Sequence, residues 1–305
     1  GPPSNTGAGA AIAPAVQVTA LDALGNPATG FSGLVTITIA TNPGGATLSG
    51  TPAVNAVSGV ATFSNLRLNK PGIGYTLRGG SAGLVPDTST TFNITSVASK
   101  LVFTVQPGTT QAGSAIAPAV KVTAEDSLGN TVVGFTGNVA VAIYDNPGLG
   151  ILSGTKTQPA TAGVATFSNL SINRVGNGYT LIATASGLVD FSTLFNIIPG
   201  APAQLVFTVV SNTPAGTVIS PPVQVTVEDA QGNTVTGYSG SVTMAIGTNP
   251  NPPPGKPTLS GTTTQPVSSG VAAFSDLSID LPGNGYTLQA SSGALTNFSA
   301  LFNIF

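Results

Sequence analysis

Apolar and polar residues alternate in short runs along the whole chain. Val16, Val18 and Ala20 are separated by Gln17 and Thr19. Val120, Val122 and Ala124 alternate with Lys121, Thr123 and Glu125, and Val223, Val225 and Val227 with Gln224, Thr226 and Glu228. A period of two places each set on its own face, so each run predicts a strand with one buried side and one wet side. Every run stops at Asp-x-x-Gly-Asn (Asp22 to Asn26, Asp126 to Asn130, Asp229 to Asn233). Gly and Asn are expected to take the positive-φ positions of a tight turn there. A second strand is predicted at 34–40, 138–144 and 241–247, and no segment carries a capped 3.6-residue apolar period. The pattern is all-β.

The alternation is itself repeated. GVATFSNLRLNKPGIGYTL (59–77) recurs as GVATFSNLSINRVGNGYTL (163–181) and as GVAAFSDLSIDLPGNGYTL (270–288). One supersecondary unit is therefore present three times, at a spacing of roughly 100 residues that matches an ordinary domain. The expected units are 1–97, 98–199 and 200–305. Within each, the GVATF-type run predicts a strand, Gly-x-Gly a turn that launches YTL, and FNI (92–94, 195–197, 302–304) the closing strand. Counting LVFTV at 101–105 and 205–209, a complete unit offers about seven strands with the turn spacing of a Greek-key sandwich. Nothing before Pro2 corresponds to LVFTV, so the first unit is expected to lack its N-terminal strand. That start reads as a fragment boundary, with strand exchange as the alternative. The opening GPPSNTG has no signal-peptide character, which places any export signal outside these residues. The short junctions 95–100 and 198–204 predict units stacked end to end in a stiff rod.

Composition narrows the function classes. Eight Lys and Arg against ten Asp and Glu leave a net charge of -2, with only 6% of residues charged. So weak a field does not gather phosphate backbones or anionic lipid, which argues against nucleic acid as a partner. No apolar run approaches the roughly 18 residues of a membrane helix, so membrane insertion is not expected. The chain has no Cys and no His, which removes thiolates, Cys/His metal sites and histidine bases together. No carboxylates pair for acid/base work, Asp145, Asp190, Asp276 and Asp280 reading as scattered turn residues. The expectation is no enzyme and no cofactor.

Four features remain as candidates. Tyr75, Tyr179 and Tyr286 each follow Gly-x-Gly, the position of a tyrosine corner whose hydroxyl reaches back to an upstream backbone group. The adjacent acids Glu125-Asp126 and Glu228-Asp229 are weak calcium candidates, since such a site needs six to eight oxygens and Asp capping its own turn is the default. The Asn-Pro loop is four residues longer in the third copy, and Asn249, Pro250, Asn251, Pro252, Pro253, Pro254 and Lys256 form a stiff variable loop fit for binding. Val16, Val18 and Ala20 would line an edge open to a partner strand.

AEDSLGN (124–130), VEDAQGN (227–233), GVATFSNL (163–170) and GNGYTL (176–181), with their copies, resemble the immunoglobulin-like repeats of large bacterial surface proteins, the invasin and intimin-type adhesins. The resemblance implies three tandem immunoglobulin-like β-sandwiches in an extracellular or cell-surface protein, acting as a structural stalk. The alternatives are an adhesin module that recognises a surface glycan or protein, and a fibre subunit joined by strand complementation. Partners would be neighbouring repeats, in the same chain or as a homo-polymer.

Overall fold

A computed structural model describes residues 2–251 and 254–305. All regular structure among them is β, arranged as tandem sandwiches. Three hydrophobic clusters form, and each draws its buried residues from one copy of the repeat. Burial of apolar surface at about 25 cal/mol per Å² is the main stabilising term in such cores.

The central copy shows the full arrangement. Lys100–Val105 pairs antiparallel with Val120–Glu125, which pairs in turn with Val164–Phe167. The facing sheet runs Thr157–Pro159, Asn138–Ile143, Leu181–Ala185, Leu188–Phe191. After Lys100–Val105 the chain changes sheet, and Thr110–Gln111 lies parallel to Phe195–Ile198, which also pairs with Gly176–Tyr179. Bulges and this change of sheet divide the expected strands into shorter pieces. The alternation at the start of the repeat is expressed directly, with Val120, Val122 and Ala124 in the core and Lys121 in solvent. Thr123 departs from the pattern and is buried, because its hydroxyl bonds that of Thr104 at 2.8 Å.

Three expectations are corrected. The Gly-x-Gly segment is a bulge within the strand pairing, not a turn. Gly74, Gly178 and Gly285 have φ of 87°, 86° and 91°. Each N–H is taken by the side-chain oxygen of Asn93, Asn196 or Asn303 on the partner strand, where the register shifts. In Asp-x-x-Gly-Asn only the glycine is left-handed; the asparagine serves through its side chain instead. Asp190 is not a turn residue but lies in the strand Leu188–Phe191, which the sequence reading did not anticipate.

The first copy differs along one edge. Val16–Thr19 pairs with Val60–Phe63 in a sheet of two strands among the described residues, where the other copies have three. Val18 is consequently half-buried, whereas its counterparts Val122 and Val225 are fully covered.

Candidate functional site

The turn motif performs two tasks. In the central copy the Asp126 carboxylate accepts hydrogen bonds from the backbone N–H groups of Leu128 and Asn130 and from the Asn130 side chain. Asp229 does the same for Gln231 and Asn233, and also holds the junction residue Gly200 through its N–H at 2.9 Å. So anchored, the asparagine side chains reach the preceding copy. Asn130 Nδ2 donates to the Asn69 carbonyl at 3.0 Å, and Asn233 Nδ2 donates to the Asn173 carbonyl at 3.0 Å. Asn233 further accepts from the Val175 N–H at 3.1 Å, and Arg174 donates to the Gly232 carbonyl.

Close side-chain packing accompanies these bonds. A Cβ built on Gly9 would lie 2.9 Å from Leu128 Cδ1, and one on Gly113 would lie 2.8 Å from Gln231 Nε2. The residue two places after the turn aspartate thus seats on a glycine of the preceding copy at both junctions. Leu24 occupies that position on the first turn and is 87% exposed, against 51% for Leu128. One geometry is therefore used twice.

Burial alone would raise the Asp126 and Asp229 carboxyls. Hydrogen bonds, chiefly from Asn130 to the first and from the Asn233 and Gly200 backbone to the second, outweigh it and hold both below the ordinary 3.8. A depressed folded value contributes stability that is fully present above the unfolded pKa and is lost as pH falls through the folded one. With no His or Cys to titrate, unfolding midpoints should be level between about pH 5 and 8 and fall below about pH 4. Denaturant titrations across that range check this; a step near pH 6.5 would contradict it.

The remaining acids of the pairs point elsewhere. Glu125 forms an ion pair with Lys100 at 3.0 Å and Glu228 accepts from Gln204 at 3.0 Å. No group of three acids that could hold a metal ion occurs among the described residues. Asp145 accepts from the Thr180 hydroxyl, Asp276 from Thr262 and Asp280 from the Thr258 N–H.

Tyr75, Tyr179 and Tyr286 are fully buried. Their hydroxyls donate to the carbonyls of Lys70, Arg174 and Leu281, five residues upstream, at 2.9 to 3.0 Å. Burial raises all three hydroxyls above 10.0, which keeps them protonated as donors. In the third-copy loop Asn251 donates to the Tyr286 hydroxyl and receives the corner into the loop, and its own N–H bonds Asn249. Pro250 packs near Gly283, and Asn249, Pro254 and Lys256 are exposed. Pro252 and Pro253 lie outside the described residues.

A groove opens beside Val16–Thr19. Its volume is about 400 Å³, with Val18, Thr19, Gly79 and Asp87 on its walls and Pro2 and Pro3 at one end. A neighbouring hollow of about 580 Å³ shares Val18, Gly79 and Asp87 and continues past Ala20 to Phe31. Val16 and Ala20 are themselves buried. The Asp87 carboxylate accepts from the neighbouring Thr88 N–H at 2.8 Å. Its ladder position, opposite Gly79, is that of Asp190 opposite Ala183 and Asn297 opposite Ala290.

No helix among the described residues is long and apolar enough to cross a membrane. No protein-family model matches the chain, and no curated protein matches it. Among solved structures it is similar to domains 4–9 of the surface-layer protein SbsC (18% identity, 94% of this chain and 42% of that one, TM-score 0.28). It is also similar to the Yersinia pseudotuberculosis adhesin InvE (19%, 70% and 64%, TM-score 0.30) and to a beta-glycosidase from Bacteroides vulgatus (15%, 66% and 24%, TM-score 0.24). The chain spans less than two thirds of the length of each of these three.

Proposed function

We propose that the chain is a non-enzymatic structural rod of a bacterial surface or extracellular protein. Its units are three tandem immunoglobulin-like sandwiches at 1–97, 98–199 and 200–305, and its task is to hold whatever flanks it at a fixed separation. The observation that carries this is the junction: Asn130 on Asn69 and Asn233 on Asn173, each held by an aspartate of the same turn. A flexible tether between modules has no need of a bond repeated at the same two positions. The resemblance of the turn and GVATFSNL motifs to surface-protein repeats supports the location. The side chains favour the non-enzymatic reading as well, since the carboxylates named above are each engaged in turn capping or strand contacts.

Small-angle X-ray scattering of residues 1–305 tests the rod. The expected result is the profile of one elongated particle with a single cross-section, unchanged between low and high salt because the junction bonds are not ion pairs. A profile that requires an ensemble of bent forms would overturn the reading.

A further inference from the structure

Parallel pairing occurs at one place in each copy. Thr6–Gly7 lies parallel to Phe92–Thr95, Thr110–Gln111 lies parallel to Phe195–Ile198, and Thr213 bridges Ile304 in the same sense. Every other strand pairing among the described residues is antiparallel. In all three cases a segment near the start of a copy is joined to the last strand of that copy. Further bonds tighten the contact. Ala8, Ala112 and Ala215 donate their N–H groups to the carbonyls of Thr95, Ile198 and Phe305 at 2.8 to 2.9 Å. Asn5 and Asn212 each place Oδ1 on a backbone N–H of the last strand, that of Asn93 or Asn303, at 2.7 Å. The last strands are anchored in their cores through Phe92 and Ile94, Phe195 and Ile197, and Phe302 and Ile304, all buried.

Strand direction decides what such a pair resists. Tension along the chain draws the first segment of a copy toward its own N-terminal side and the last strand toward its C-terminal side. Two parallel strands drawn in this way slide along their common axis, and the hydrogen bonds that run between them are strained together. An antiparallel first and last strand drawn from the same ends would open one bond at a time, as a hairpin does. A barrier made of bonds that break together grows with every bond, whereas bonds broken in turn present about one at a time. In the central copy tension first meets Lys100–Val105, which is held in the ladder by Val120–Glu125 and on its other margin by Asp190, the acceptor of the Phe103 N–H at 2.8 Å. The third copy holds Pro202–Phe207 against Val223–Asp229, and Asn297 Nδ2 donates to the Leu205 carbonyl at 2.6 Å. In both copies the core lies behind these contacts on the path of the tension.

On the reading of the chain as a structural rod, we propose that it carries tension between the parts that flank it, and that the parallel pair in each copy is the clamp that sets its resistance. Stiffness against bending belongs to the turn asparagines at the junctions, and resistance to stretching belongs to the clamps inside the copies. The two properties reside in different bonds and are measured separately.

The test is single-molecule force spectroscopy of the whole chain, stretched from its two ends at constant force. The expected record is three abrupt extensions of about 30 nm, each the length of roughly 90 residues drawn out. Ala112→Pro removes the N–H that bonds Ile198, and Asn212→Ala removes the exposed side chain that takes the Asn303 N–H. Each should shorten the dwell before one of the three extensions about tenfold, the loss of one bond from a barrier in which all break together, and leave the other two dwells unchanged. Ser99→Cys and Ser127→Cys, both exposed and at the same end of the Lys100–Val105 ladder, provide handles that pull its strands apart sideways. At the same force the central copy should then yield sooner than in either end-loaded variant. Equal dwells in the two pulling directions, or end-loaded dwells that Asn212→Ala leaves unshortened, would overturn the proposal. Bent forms in solution scattering bear on the junctions alone, and the dwells bear on the clamps alone.

Discussion

Replacing Tyr179 with Ala is expected to destabilise the central copy by about 3–5 kcal/mol, the usual cost of deleting a fully buried aromatic side chain. The ring is completely covered, lies 6.0 Å from that of Phe195 at an interplanar angle of 34°, and belongs to the central hydrophobic cluster. Its hydroxyl donates to the Arg174 carbonyl at 2.9 Å. Backbone closes around that oxygen so tightly that a Cβ on Gly148 would come within 2.4 Å of it. Tyr179→Phe keeps the ring and leaves one carbonyl without its partner, so its cost should be nearer 1–2 kcal/mol. Urea unfolding of the two variants separates the contributions. Equal losses would show that the hydroxyl, not the ring, holds the corner.

The second large effect is expected at the turn that joins the central and third copies. Asp229 is 1% exposed and accepts from three backbone N–H groups and from the Asn233 side chain. Asp229→Ala takes the acceptor from all of those donors, the buried Asn233 among them, at a cost of about 3 kcal/mol. It also frees Asn233 from the orientation in which it meets Asn173 and Val175, so the variant should lose stability and junction stiffness together. Asn233→Ala isolates the second effect. It removes the two bonds that the Asn233 side chain makes across the junction and leaves the backbone donors on Asp229. Asp22→Ala should cost far less, since that turn is exposed and its carboxylate accepts only from Leu24 and Asn26 of the turn itself.

The contrast between Asp22 and Asp229 shows what could be read from residues and what could not. Alternation from Val120 to Glu125 and the turn after it are local, and a strand ending in a glycine turn follows from them directly. The junction is not local: Asn130 meets Asn69 across 61 positions, and nothing in AEDSLGN distinguishes an asparagine that caps from one that bridges. Positive φ is a common use of asparagine, so the motif points to backbone chemistry where the side chain is at work. Gly178 failed for a related reason. Gly-x-Gly ordinarily signals a turn, but Asn196 on the partner strand takes its N–H and converts the same glycine into a bulge. Asp190 lies in a segment whose strand pattern is weak, and its bond to Phe103 appears only when the strand Lys100–Val105 is laid beside it.

The stacking of the copies is the centre of this account, and a chain without cysteine allows it to be measured cleanly. Nitroxides placed by Lys156→Cys in the central copy and Ala294→Cys in the third occupy exposed sites away from the junction contacts described above. Double electron–electron resonance between them should give one narrow distance distribution in the otherwise unaltered chain, and a broad one when Asn233→Ala is added. A distribution already broad before that substitution, or one that the substitution leaves narrow, would contradict a rod held by its turn asparagines.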